Sequence, residues 1–226
     1  SSFAPVSILK GFKSSSRGIV LRKFLVVTQF VISIGLIAGI ILVHRQISFM
    51  RSAELGFSKE QTIVIPLRDN NDAAKSETYK NIFSNISGVN KVTASSRVPG
   101  KELGNNVVRI GWDEKAAWSD MRFLSADQEF LATYDLRVIT GRWFDRSFPS
   151  DENEAFVLNE SAVARLGFTS PEESINKQLK WQRKKGRIIG VIKDFHFMSL
   201  QHQIEPFIVV MANNHNANYL SLKIST

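Results

Sequence analysis

Cysteine is absent from all 226 residues of the chain. Disulfides, thiol chemistry, cysteine-type zinc sites and iron–sulfur clusters are therefore excluded. A folded domain in this chain must be held together by its apolar core. Residues 46–226 form a stretch of about 180 residues, which is long enough to bury such a core without covalent staples.

Three motifs that carry common enzyme chemistry are also missing. The sequence contains no G-x-x-x-x-G-K-[ST] loop, no G-x-G-x-x-G loop and no G-x-S-x-G elbow. These motifs hold nucleotide phosphates or a nucleophilic serine. We therefore predict no Walker-type ATP site, no α/β-hydrolase chemistry, no catalytic residue and no cofactor.

A metal site is not favoured either. Asp194, His196 and His202 form the one cluster of metal-ligand residue types. Their spacing, D-x-H-x-x-x-x-x-H, matches no standard zinc or iron pattern. We expect a structural role at the end of a strand over 188–193, with a metal site as the alternative. The acidic run 151–154 reads as a solvated turn, with paired catalytic carboxylates as the alternative.

Basic residues are distributed unevenly. The net charge is +8, but residues 1–45 contain six basic and no acidic residues, which leaves 23 basic and 21 acidic residues in 46–226. The excess therefore lies next to one apolar segment rather than on the larger part of the chain. This distribution argues against a nucleic-acid partner and indicates a membrane topology signal.

That apolar segment runs from Phe24 to Val43 without a charge, and 14 of its 20 residues are Leu, Ile, Val or Phe. A helix of this length spans roughly 30 Å, the hydrocarbon thickness of a bilayer. The 14 residues contribute roughly −4 to −8 kcal/mol to insertion. We predict an uncleaved transmembrane helix over 24–43. The alternatives are a signal peptide, which is usually shorter and ends in a small-residue cleavage site, and a buried helix of a soluble protein.

The basic residues set the predicted orientation. Short basic flanks stay in the cytoplasm, so we expect residues 1–23 to form a cytoplasmic stub and everything after Val43 to lie outside.

Gly35 and Gly39 permit close helix contact. Together with Ser33 and Gln29, which would otherwise meet lipid, they predict packing against other membrane helices.

The remaining sequence alternates short strands, helices and hairpins, which is typical of an α+β domain with mixed sheets. We expect a stalk over 44–60 and a domain over 61–226. In this domain, 61–100 and 187–226 form one lobe and 101–186 an inserted lobe. A β-α-β opening, with strands over 62–65 and 89–95, is expected to pair with the closing strands 207–211 and 219–224.

The cluster Arg183, Lys184, Lys185 and Arg187 reads as a solvated hairpin tip, with binding of phosphate or lipid head groups as the alternative.

An ordered set of short motifs resembles the FtsX-like, MacB-type permeases of ABC transporters, most closely the versions common in Bacteroidota. The motifs are P-V-S-I-L-K-G at 5–11, L-R-K at 21–23, L-G-F at 55–57, G-R-W-F at 141–144, V-L-N-E-S-A at 157–162 and I-G-V-I-K-D-F-H-F-M-S-L at 189–200. The last contains Asp194, Phe195 and His196. These motifs are spread over residues 5–200, which is nearly the whole chain.

The resemblance implies a MacB-like periplasmic core domain over 61–226 and a separate ATPase subunit. It further implies other permease helices or a second half, and a periplasmic or outer-membrane partner. It also implies that this chain is part of a longer inner-membrane protein whose outer domain relays ATP-driven motion. Two other hypotheses stay open: a signal-anchored extracytoplasmic sensor or binding module, and a membrane-tethered enzyme with carboxylates such as Asp194 with Glu205 or Asp145.

Overall fold

The computed structural model describes residues 16–52, 56–57, 61–68, 73–198, 202–212 and 217–225. The chain divides into two compact units, 1–53 and 54–226. The second unit is called the sheet domain below. Most of the predicted cytoplasmic stub, residues 1–15, lies outside the described residues, as do residues 53–55 and 58–60 of the predicted stalk.

The first unit contains one long helix, α1, Ser16–Ser52. The predicted span 24–43 lies within it, and the stretch Gly18–Met50 is long and apolar enough to cross a membrane. Its large apolar side chains are exposed along the helix, for example Ile40 at 67% and Phe49 at 72%. A helix that is apolar on every face needs lipid or protein around it.

The described residues of the sheet domain form ten strands. They are β1 Thr62–Pro66, β2 Val89–Ser95, β3 Gly104–Ile110, β4 Ser119–Ala126, β5 Val138–Gly141, β6 Ala155–Asn159, β7 Gln178–Trp181, β8 Lys184–Ile192, β9 Phe207–Met211 and β10 Tyr219–Ile224. The short helices with described bounds are α2 Ser76–Ser84, α3 Phe130–Thr133, α4 Asp151–Glu154, α5 Glu160–Arg165 and α6 Pro171–Ser174. The predicted α+β class is confirmed.

Six of the strands close into a ring. Following the hydrogen-bonded pairs leads from β4 to β3, β7, β8, β6 and β9, and β9 pairs again with β4. The β4–β9 and β6–β8 pairs are parallel, and the other four are antiparallel. Because the ring is closed, each of its strands pairs with a neighbour on both sides, as in a small barrel.

Alternation along the ring strands divides their side chains between two cores. Phe156 and Leu158 of β6 point into the ring and join buried side chains from the five other ring strands. Val157, between them, points outward and packs with Phe130, Tyr134 and other residues that cover the outer face of β4, β6 and β9. This alternation is the normal consequence of the two-residue period of a strand.

A smaller sheet extends from the ring. β10 lies between β1 and β2 and is antiparallel to both, and Ser95 of β2 pairs with Ala126 of β4. The predicted pairing of the opening strands with the closing strands is confirmed for β10. It is wrong for β9, which pairs with β4 and β6 instead. β8, from the first predicted lobe, is hydrogen-bonded to β6 and β7 of the predicted inserted lobe, so both sets of strands share one sheet.

Local capping explains where two of the short helices begin. The side chain of Asn159 accepts a hydrogen bond from the backbone N–H of Ala162 and thereby caps α5. Ser170 accepts from the N–H of Glu173 and caps α6, which has Pro171 in its first turn. Both are residue types that satisfy the free N–H groups at a helix start.

Candidate functional site

Asp194 lies two residues after β8, next to the start of α5. Its Oδ1 accepts from Asn159 Nδ2 at 2.6 Å and from the backbone N–H of Ser161 at 3.1 Å, and its Oδ2 accepts from Ser161 Oγ at 2.5 Å. The N–H of Asp194 donates to Glu160 Oε2 at 2.8 Å. β6 and β8 run parallel, so their carboxyl ends meet at one edge. The structure therefore joins two of the motifs on which the resemblance depends.

Asn159 is the central residue of this network and is fully buried. Its Nδ2 donates to Asp194 Oδ1 and to the carbonyl of Glu205 at 3.1 Å. Its Oδ1 accepts from the N–H groups of Ala162 at 3.1 Å and Phe207 at 2.9 Å. All four hydrogen-bonding positions of the amide are used. Asn159 therefore fixes the ends of β6 and β8 to the start of β9.

Phe195 packs on the other side of the same turn. It is 1% exposed, and its ring lies 5.6 Å from that of Phe207, 5.8 Å from Phe197 and 6.0 Å from Phe57. Phe57 also contacts Tyr134, with ring centroids 6.1 Å apart. The predicted motif residue Phe195 is thus a core residue that receives a side chain from the first residues of the sheet domain.

Gly56 brings the backbone itself against this turn. It has φ +79°, and a Cβ built on it would lie 2.9 Å from Phe195 Cβ, 3.1 Å from Phe195 Cα and 3.3 Å from the Asp194 carbonyl oxygen. Both the left-handed conformation and the close approach require glycine. We call Gly56, Phe57, Asp194 and Phe195 the junction, because the chain leaves α1 at Ser52 and enters the sheet domain here.

His196 and His202 do not take part in the junction. Together with Glu205 they line a cavity of about 10 Å³, enough for about one water molecule. Among the described residues, no group of three or more His, Asp or Glu is placed to hold a metal ion. The carboxylate of Asp194 is instead occupied by Asn159 and Ser161.

The predicted helix-packing residues lie on α1. Gln29, Ser33, Gly35 and Gly39 are all exposed, and a Cβ on either glycine would meet no atom within 4 Å. At about 100° per residue the four positions fall within an arc of about 160°, so they share one half of the helix. The structure brings them onto one side but places nothing against them within the described residues.

Several ion pairs in the sheet domain were not expected from sequence. Asp151 was predicted to lie in a solvated turn, but this is wrong: its side chain is buried and is bound by Arg142 at 2.6 and 2.7 Å. Glu205 binds Arg122 through two contacts of 2.9 and 3.0 Å. Asp145 is exposed and accepts from Ser147. The carboxylates considered for an enzyme therefore each have a separate partner.

The pKa values of two lysines are shifted by their surroundings. Burial lowers the pKa of Lys80, but the nearby Asp127, 2.5 Å away, outweighs it and raises the pKa above its usual value. For Lys184, burial dominates and lowers the pKa to about 8. Its Nζ lies 5.1 Å from the ring centroid of Phe156 and donates to the carbonyl of Glu152 at 2.9 Å.

The fold of the sheet domain was compared with known proteins. No protein-family model matches the sequence, and no curated protein matches it significantly. The extracellular domain of the noncanonic ABC-type transporter YknZ from Gram-positive bacteria superposes with a TM-score of 0.50 over 73% of this chain and 84% of that domain, at 17% identity. The sheet domain has the MacB-like periplasmic fold.

Two further structures are similar to the MacB-like domain at lower scores. The periplasmic region of MacB from Actinobacillus actinomycetemcomitans gives a TM-score of 0.49 at 16% identity, over 75% of this chain and 77% of that one. A domain assigned to a permease protein from Porphyromonas gingivalis gives 0.46 at 18% identity, over 64% and 65%. At such identities the likeness concerns the fold of the domain.

Proposed function

We propose that this chain is part of the permease subunit of an ABC transporter. In this proposal α1 crosses the inner (cell) membrane, residues 1–23 lie in the cytoplasm and the MacB-like domain lies in the periplasm or outside the cell. ATP hydrolysis takes place on a separate subunit, and this chain has no enzymatic activity of its own. The fold shared with the extracellular domain of YknZ, preceded by a helix of membrane-spanning length, supports this assignment.

The output that we propose is mechanical. The domain relays nucleotide-driven motion of the membrane helices to an envelope partner or substrate. The single observation that carries this proposal is the junction: Gly56 packs backbone-to-backbone on Phe195, only four residues after α1 ends. A displacement of this segment acts on a turn that Asn159 fixes to three strands of a closed ring.

One side of α1 is suited to contact with further membrane helices. We propose that Gln29, Ser33, Gly35 and Gly39 pack against other permease helices or the second half of the permease. Replacing Gly39 by Leu adds four heavy side-chain atoms to that half of α1. Ala38→Leu is the matched control, because Ala38 is a small residue on the opposite side of the helix from Gln29.

The experiment is affinity purification of the tagged protein from the membranes of its own cells in a mild detergent. We expect a co-purifying subunit that hydrolyses ATP, and we expect Gly39→Leu to reduce its yield several-fold while Ala38→Leu does not. Absence of any ATP-hydrolysing subunit from the wild-type preparation would overturn the transporter proposal. Equal yields from both variants would remove the helix-packing part alone.

Topology is tested with single cysteines, which are unique in a cysteine-free chain. A membrane-impermeant maleimide added to intact spheroplasts is expected to label Lys101→Cys in the domain and to leave Lys10→Cys unlabelled. Labelling of the second variant and not the first would contradict the proposed orientation.

A second candidate function is a membrane-anchored binding module. It is favoured by one observation, an open depression of about 520 Å³ beside α5 that is lined by Arg122, Ser161, Arg165 and Glu205 among others. Such a module would work without an ATPase. The purification above therefore separates the two functions.

A further inference from the structure

Three cationic residues are register partners on the outward-facing side of the ring strands, where Arg109 is buried, Lys180 half-buried and Lys185 exposed. Arg109 of β3 is the register partner of Lys180 in β7, and Lys180 is in turn the partner of Lys185 in β8. Directly opposed residues of an antiparallel pair point to the same face, with Cβ atoms about 4.5–5.5 Å apart. We call these three residues the cation row. It crosses three strands, a distance of about 10 Å.

The row faces away from the ring interior. Val108 and Leu179, the neighbours of Arg109 and Lys180, are fully buried in the ring core. Because side chains alternate along a strand, the row lies on the opposite face. It shares only Lys185 with the basic hairpin cluster 183–187, so it is a different feature from the hairpin tip.

The row forms no salt bridge within the described part of the chain. No ion pair or hydrogen bond joins any of its three side chains to a described residue. Arg109 is only 3% exposed, and its Nε is buried without an acceptor. Buried charges are normally paired, and like charges directly opposite one another in a sheet are destabilising. The fold therefore holds three cationic residues in adjacent register positions without an ion-pair partner among the described residues.

Two tryptophans flank the row. The guanidinium of Arg109 lies 4.8 Å from the ring centroid of Trp118, and Lys180 Nζ lies 5.9 Å from the same ring. Lys185 Nζ lies 6.0 Å from the ring of Trp112. Both indoles are 46% exposed, although residues of this size are usually more covered. Cation–π contact orients the cations but leaves their positive charge in place.

A depression of about 490 Å³ opens next to the row and is lined by Trp112, Lys185 and Arg187, together with Arg142, Asp151 and Glu154. Arg142 and Asp151 neutralise each other through their two contacts. The remaining charged lining residues are two cations and Glu154, so the lining carries a net positive charge.

We propose that the cation row binds a phosphate-bearing ligand, whose sugar or apolar part contacts Trp112 and Trp118. An arginine fork matches phosphate geometry, and lysine binds the same group as a point charge. Three cationic residues on adjacent strands fit a multiply charged phosphate group better than one carboxylate. This site is independent of the transport function proposed above.

The test uses the full chain in nanodiscs of phosphatidylcholine at low ionic strength. Calorimetric titration with inorganic pyrophosphate measures binding of a free phosphate. Co-flotation with vesicles of phosphatidylcholine containing phosphatidylglycerol, against phosphatidylcholine alone, measures binding of a lipid head group. Hexaglutamate is titrated as an acidic peptide. The variant is Lys180→Gln, and Lys177→Gln is the matched control, since Lys177 is exposed and lies just before β7.

The site is supported if Lys180→Gln weakens pyrophosphate binding roughly tenfold or more. Lys177→Gln should change the same affinity by no more than about twofold. Binding of the phosphatidylglycerol vesicles alone, with the same dependence on the two lysines, supports it with lipid as the source of phosphate. No binding, equal binding by all variants, or binding of hexaglutamate alone overturns it. Lys180→Gln must also keep or raise the thermal unfolding temperature without ligand; a fall would mean that Lys180 has a structural role instead.

Discussion

Replacement of Gly56 by alanine tests the junction directly. Two costs add at this position. The φ of +79° costs an alanine about 1–2 kcal/mol, and a Cβ only 2.9 Å from Phe195 Cβ forces a core residue to move, at about 1–3 kcal/mol. We expect a total loss of about 2–5 kcal/mol in the free energy of unfolding of the sheet domain.

Gly100→Ala is the control that separates the two costs. Gly100 has φ +92°, but a Cβ there would meet no atom within 4 Å. Its substitution should cost only the conformational part, about 1–2 kcal/mol. The difference between the two variants therefore measures the contact between Gly56 and the turn at Phe195.

The assay is urea unfolding of the detergent-solubilised chain followed by tryptophan fluorescence. All four tryptophans, at positions 112, 118, 143 and 181, lie in the sheet domain, so the signal reports on this domain alone. Equal losses for Gly56→Ala and Gly100→Ala would refute the argument. The segment at Gly56 would then not be packed on Phe195, and the proposed route from α1 into the ring would lose its support.

Three further predictions concern charged residues. Asp194→Ala removes three hydrogen bonds to a half-buried carboxylate and should cost about 2–4 kcal/mol by urea unfolding. Asp145→Ala removes the contacts from the N–H and Oγ of Ser147 at an exposed site and should cost much less. Asp127→Ala leaves Lys80 buried and should cost about 3–5 kcal/mol in the same assay; a loss below about 1 kcal/mol would contradict this. Lys184 has its pKa lowered to about 8, so its contribution to stability is present above the unfolded pKa of 10.5 and is lost as pH falls through 8. Between pH 7 and pH 10 the wild type should therefore gain about 2 kcal/mol relative to Lys184→Met, and parallel pH profiles would exclude this.

Local patterns predicted the strands with strong signals. β2, β9 and β10 were expected with the bounds that the structure has, because each is a short apolar or alternating run ended by turn residues. β5 was missed, since Val138–Gly141 has only four residues and its place is set by pairing with the distant β8. The helix α4 was missed for a similar reason, because its first residue, Asp151, is held by Arg142 rather than by a local pattern.

The candidate site was predictable only in part. The motif with Asp194 and Phe195 was recognised, but sequence gave no sign that Gly56 would meet it from about 140 positions away. Nor could it show that Arg109 would be buried beside two lysines, because this depends on the register of three strands. Pairings between distant segments decide both features, and single-sequence periodicity does not encode such pairings.

The order of the ring strands has a consequence for biosynthesis. β9 begins at Phe207, yet it is the strand that joins β4 to β6. Until this late segment leaves the ribosome, β4 and β6 each keep an unpaired edge, and such edges invite association with other nascent chains. We expect the barrel to form in one step after synthesis of the whole domain, and we expect chains truncated before Phe207 to aggregate rather than to accumulate as a partly folded domain.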